Sequence, residues 1–174
     1  MQSEIKNILD FTLLFNKYKV QLYNYVSKMV SDRMTTEDIV QNVFLKLHEN
    51  LNRIRVAGSV NYWLFRTARN EIYMWYRKQK SYRQIFDPTD LDELEIDSGM
   101  NLTDKVETKE LSEIINEEIS FLPEVQKEVF ILKEYGGLSY KEIGAIMSIN
   151  EELVKSRLFK IRKRLTNRLS NKIK

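Results

Sequence analysis

Between Val154 and Leu165 the chain reads VKSRLFKIRKRL, and the residues there that could do chemistry are mostly cations. Lys155, Arg157, Lys160, Arg162 and Lys163 could each neutralise a phosphate or donate to a base edge, and Ser156 could hydrogen-bond to either. Phe159 offers an apolar surface among them. No nucleophile stands beside a base, and no metal-ligand spacing occurs. Cysteine is absent, and the single histidine, His48, has no catalytic or ligating companion near it in the sequence. The chemistry is therefore recognition of an anionic polymer rather than bond making. No enzyme, metal or cofactor is expected.

A second constellation lies at Asn61–Arg83, NYWLFRTARNEIYMWYRKQKSYR. It holds seven of the chain's 19 aromatic residues: Tyr62, Trp63, Phe65, Tyr73, Trp75, Tyr76 and Tyr82. Arg66, Arg69, Arg77, Lys78, Lys80 and Arg83 are interleaved with them. Duplex DNA needs only cations, whereas single strands also reward rings on which unpaired bases stack, at about 1–3 kcal/mol per base. Some of these rings belong to a core, but one helix cannot turn all seven inward. A third segment, TTEDIVQNVFLKLHEN (Thr35–Asn50), has an apolar stripe and a polar face of Asp38, Gln41, Asn42 and Glu49. That face suits a protein partner better than DNA.

These residues must be held by helices. Leu13, Leu14, Tyr18, Leu22, Tyr25, Val26 and Met29 recur at helical spacing, as do Ile39, Val40, Val43, Phe44 and Leu47 on a helix starting near Thr35 or Thr36. Ser59 could cap a long helix over Val60–Lys80. Pro123 suits the first turn of a later helix, and Gly136-Gly137 its end. Ser139 with Glu142 spells a capping box, Ile143, Ile146 and Met147 form a buried face, and Asn150 suits the cap of the next helix. Projected at 100° per residue, Leu158, Ile161 and Leu165 fall within about 40° of Val154, and Ser156, Phe159, Lys160 and Lys163 fall opposite. A capped helix, a short turn and a helix with a cationic outer face present side chains as a helix-turn-helix does to the major groove. Strand-type alternation is scarce, so the fold is expected to be all-α.

The net charge of +3 conceals a strong division. Residues 1–83 hold 14 basic and 7 acidic residues, residues 84–110 hold 2 and 9, and residues 111–174 hold 12 and 9. Two basic helical domains, 1–83 and 111–174, are therefore expected on either side of an acidic linker, 84–110. No apolar run approaches the length of a membrane span. The N-terminal MQSEIKNILDF lacks a basic region followed by an apolar one, so no secretory signal and a cytoplasmic location are expected.

Together these motifs resemble the bacterial RNA polymerase sigma-70 family, of the extracytoplasmic-function (ECF, group IV) type. EDIVQNVFLKL is similar to region 2.2, NYWLFRTARNEIYMWYRKQK to regions 2.3 and 2.4, and LPEVQKEVFILKEYGGLSYKEIGAIMSINEELVKSRLFKIRKRL to region 4. The resemblance implies two small helical domains and a subunit that binds core RNA polymerase, recognises promoter DNA and promotes its melting. It implies that Asp38, Gln41, Asn42 and Phe44 dock on the β′ clamp helices. It places capture of the unpaired −10 strand on the loop 52–61 and the helix that follows, with Arg55, Asn61, Tyr62, Trp63, Arg66, Arg69, Asn70, Tyr73, Arg77 and Lys78 as candidates. It places region 4 on the β flap and its second helix in the −35 major groove, through Lys155, Ser156, Arg157, Phe159 and Lys160; Arg162 and Lys163, which the helix projection puts on the cationic side, join them as candidates. Sigma factors of this type are often held by an anti-sigma factor.

The chain departs from the family pattern in three places. The family usually has Ala where Gly144 stands, Gly where Ser148 stands, and a small or polar residue, often Thr, at Leu153. Glu152 projects at about 160° from the buried stripe, toward the groove. It either complements the helix dipole or accepts a hydrogen bond from a cytosine N4 amino group. The alternative to the whole reading is a stand-alone helix-turn-helix regulator, which would need a sensor or dimerisation domain that residues 1–83 do not resemble.

Overall fold

The computed structural model describes residues 1–54, 57–86 and 106–172. Arg55 and the centre of the expected linker, 87–105, lie outside the described residues, as do the side chains of Ser59 and Arg83. The described residues form seven α-helices and no strand, in two compact units. The expected all-α, two-domain fold is what the chain adopts.

The first unit packs α1 (Gln2–Val30), α2 (Arg33–Asn50) and α3 (Ala57–Phe86) against one another in pairs. Its core is the stripe foreseen on α1 (Tyr18, Leu22, Tyr25, Val26, Met29), met by Ile39, Val43, Phe44 and Leu47 from α2 and Val60, Leu64, Phe65, Ala68 and Ile72 from α3. Leu13, by contrast, points outward. The α1–α2 connection is two residues long. Ser31 takes the left-handed conformation (φ 55°) and returns its N–H to the Ser27 carbonyl at 3.0 Å. Asp32 then caps α2, accepting the Thr35 N–H at 2.8 Å, and the buried Thr36 hydroxyl donates to the Asp32 carbonyl at 2.6 Å. The helix therefore starts at Arg33, ahead of the expected Thr35 or Thr36, because Asp32, three residues before Thr35, out-competes threonine as a cap. The expected Ser59 cap is not formed either: the backbone is already helical at Ala57.

The second unit contains α4 (Val106–Ser120), α5 (Glu124–Glu134), α6 (Tyr140–Met147) and α7 (Glu151–Lys172), with α7 packed on each of the other three. Helix thus occupies both margins of the segment expected as linker, to Phe86 on one side and from Val106 on the other. Pro123 sits one residue before α5, at its N-cap, and Gly137 supplies the left-handed residue (φ 67°) after it. The Ser139–Glu142 capping box is complete: Ser139 Oγ accepts the Glu142 N–H at 3.2 Å, and the Glu142 carboxylate accepts the Ser139 N–H at 2.7 Å. Ser148 ends α6 in the left-handed conformation (φ 56°), and Asn150 Oδ1 caps α7 by accepting the Leu153 N–H at 2.8 Å. Ile143, Ile146 and Met147 are buried, as are Val154, Leu158, Ile161 and Leu165.

Candidate nucleic-acid interfaces

On α7 the buried stripe leaves Glu152, Lys155, Ser156, Phe159, Lys160, Arg162 and Lys163 exposed. Glu152, Ser156, Phe159 and Lys163 lie nearly opposite the buried stripe, within about 40° of its antipode, and form the crest of the outer face. Phe159 is 68% exposed. Water gives an aromatic ring no reason to stand there, and an apolar partner such as a thymine methyl would.

Two of the expected contacts are less free than their sequence spacing suggests. The Arg162 guanidinium donates to Glu134 Oε1 on α5 at 2.6 Å. Hydrogen bonds to Glu134 and to Tyr140 push its pKa further above the ordinary arginine value. Arg157 is half-buried, and its Nη1 is sealed from solvent with no hydrogen-bond partner. Arg157 therefore flanks the crest of the outer face rather than standing on it. Lys155 lies 3.5 Å from Glu152 and 3.7 Å from Glu151.

α7 is held from behind by a contact that the sequence does not advertise. Glu118 of α4, 2% exposed, forms ion pairs with both Arg168, whose Nε lies 2.8 Å away, and Arg164, whose Nε lies 3.5 Å away. Glu118 reads in the sequence as one acid among several, and only packing distinguishes it from Glu113 and Glu117.

On α3, Trp63, Arg66, Asn70, Tyr73 and Arg77 share one outward face spanning about 80°. The flanking residues prearrange it. The Arg66 guanidinium is hydrogen-bonded to the Tyr62 hydroxyl and sits 5.6 Å from that ring's centre, and the Arg69 guanidinium lies 4.6 Å over the Tyr73 ring. Asn61 and Lys78 lie off this face. Of the seven aromatic rings only Phe65 is fully buried. Tyr76 is structural: its hydroxyl donates to the Met29 carbonyl on α1, and its ring lies 5.1 Å from Trp75. A row of half-exposed rings alternating with guanidinium groups can stack unpaired bases and neutralise the strand that carries them.

On α2, Asp38, Gln41 and Asn42 are exposed on one face, as expected. Phe44 is not. It is 4% exposed and packs edge-on against Phe15 at 4.8 Å and Phe11 at 6.5 Å. The apolar member of the outer face is Leu45, 55% exposed, and Met34, 75% exposed, stands on the same side. The spacing could have shown this, since Leu45 is seven residues after Asp38 and Phe44 six, and only the former returns to the same side of a helix.

Among the described residues no group of histidine, cysteine, aspartate and glutamate could hold a metal ion, and no helix is long and apolar enough to cross a membrane.

Comparison with known proteins places this arrangement. Residues 14–82 match sigma-70 region 2, and residues 112–165 match sigma-70 region 4. The chain is 30% identical over 172 residues to the ECF RNA polymerase sigma-E factor of Escherichia coli, covering 91% of this chain and 86% of that one. It is 28% identical over 145 residues to the RNA polymerase sigma factor SigZ of Bacillus subtilis, covering 83% and 78%. The fold is shared with the sigma factor RpoE of Bartonella quintana, solved with the anti-sigma factor NepR, at a TM-score of 0.73 and 24% identity over 92% of this chain and 97% of that one. With both regions present in order, and matched along most of its length by a sigma factor of this kind, the chain belongs to the sigma-70 family as an RNA polymerase sigma factor of the ECF type.

Proposed function

We propose that this sigma factor holds promoter DNA in two places, through α7 in the −35 major groove and through the Trp63–Arg77 face of α3 on the unpaired −10 strand. The observation that carries the reading is the difference between the two faces. α7 exposes mainly cations and hydrogen-bonding groups around one aromatic ring, as duplex reading requires. α3 interleaves rings with guanidinium groups, as single-strand capture requires. Binding the unpaired strand offsets the few kcal/mol of unstacking and unpairing, so the duplex opens where α3 engages it. Each face alone binds weakly, and engaging both at once raises the effective affinity.

Polymerase contact in this reading falls to the Asp38, Gln41, Asn42 and Leu45 face on the β′ clamp helices, and to the second unit on the β flap. The subunit works in the cytoplasm, performs no bond chemistry of its own and is restrained by an anti-sigma factor; a sigma factor of like fold, RpoE of Bartonella quintana, was solved bound to the anti-sigma factor NepR.

Reconstitution with bacterial core RNA polymerase, followed by run-off transcription from a randomised promoter pool, tests the proposal. Selective initiation is expected. Binding of duplex DNA as a dimer without polymerase, and no selective initiation with it, would establish a stand-alone regulator instead.

A further inference from the structure

The crest of α7 carries one carboxylate among its cations. Glu152 is exposed over 85% of its side chain and in line with Ser156, Phe159 and Lys163. A carboxylate directed at DNA is repelled by phosphates and by every acceptor on a base edge. The major groove offers it only the amino groups of cytosine and adenine. Adenine places its N7 acceptor beside that amino group, where it opposes the second carboxylate oxygen, whereas cytosine places no acceptor there. The helix dipole does not require Glu152 to point this way, because Glu151 already supplies a first-turn carboxylate about 100° away, off the crest.

Lys155 completes the pattern. Its ammonium lies 3.5 Å from the Glu152 carboxylate, so an acceptor and a donor stand side by side at the groove end of the helix. A C·G pair presents the complementary set, the cytosine amino donor beside the guanine O6 and N7 acceptors. Resting on the reading of α7 as the −35 helix, we propose that Glu152 and Lys155 together read a single C·G base pair, Glu152 on the cytosine and Lys155 on its guanine. In free protein Lys155 pairs with Glu152 at the surface and lies almost as near Glu151. Such an exposed pair is weak and is readily exchanged for the base edges.

The test uses holoenzyme reconstituted with core polymerase and a promoter pool randomised across the −35 element. Wild type is expected to favour cytosine at one position by about 5- to 150-fold. Glu152→Ala should lose that preference and keep the others. Glu152→Gln should move it toward adenine, which a carboxamide engages at N6 and N7 together. Lys155→Ala should flatten the same position while weakening all promoters. An unchanged preference at every position in Glu152→Ala, or an equal loss across all sequences, overturns the proposal and leaves Glu152 a helix-start charge. If wild type itself initiates without selectivity, the reading of α7 as the −35 helix falls first and takes this inference with it.

Discussion

The carbonyl oxygen of Ile149 lies 2.8 Å from where a Cβ on Gly144 would stand. The turn between α6 and α7 is folded this tightly because Gly144 has no side chain, and the Gly144 carbonyl accepts both the Ser148 and the Ile149 N–H groups. Ser148 accepts the left-handed conformation that the family usually assigns to glycine. These two of the three departures from the family pattern therefore lie at the two ends of one turn.

Gly144→Ala is expected to destabilise the protein by about 1–3 kcal/mol, although alanine is the better helix former, because the atom it meets is backbone and cannot swing aside. Ser148→Gly is expected to stabilise by about 0.5–1 kcal/mol by relieving the left-handed serine. Chemical denaturation of the two variants measures both, and a stabilised Gly144→Ala would show that the turn is looser than this geometry.

Phe44 and Leu45 should separate stability from polymerase binding. Phe44→Ala is expected to cost about 3–5 kcal/mol of stability, since it empties a cluster shared with Phe11 and Phe15. Leu45→Glu should change stability by no more than about 0.5 kcal/mol. It should nevertheless weaken binding to core polymerase at least several-fold, as read by a competition titration. Unimpaired binding by Leu45→Glu would remove this face from the polymerase contact.

Arg162 is tethered to Glu134, so it is expected to contribute less to promoter affinity than Lys160 or Lys163. Freeing it should change that. Glu134→Gln should strengthen promoter binding and steepen its salt dependence by about one phosphate contact, a slope change of about −0.9. Folding stability should alter little, because an exposed ion pair contributes about 0–1 kcal/mol. An unchanged salt slope would mean that Arg162 never reaches the DNA.

Asp32 should make the first unit's stability depend on acid pH. Its hydrogen bonds from the Thr35 side chain and backbone hold its pKa below the ordinary aspartate value. Because the folded-state pKa is lowered, its contribution is fully present above the unfolded value near pH 3.8 and is lost as pH falls through the folded one. Asp32→Ala is expected to cost about 0.5–1 kcal/mol at neutral pH and almost nothing at the acid end of that window. A cost that persists unchanged there would show that the cap acts through packing rather than charge.

The sequence by itself determined the helical class, the two-unit plan, the capping box at Ser139 and the outward face of α7. Each follows from short-range rules: apolar residues at a period near 3.6, caps within three or four residues, and charge that must stay in water. Family resemblance supplied the function that those rules leave open. What only the tertiary structure decided depends on neighbours distant in the chain. Phe44 belongs to the apolar stripe by spacing, but that its partners are Phe11 and Phe15 of α1 was set by how α1 and α2 pack. Glu118 became the anchor of Arg164 and Arg168 because α4 packs on α7, and Arg162 was drawn to Glu134 because α5 does. A period of 3.6 says which way a side chain points, but which partner stands there is set by how helices far apart in sequence come together.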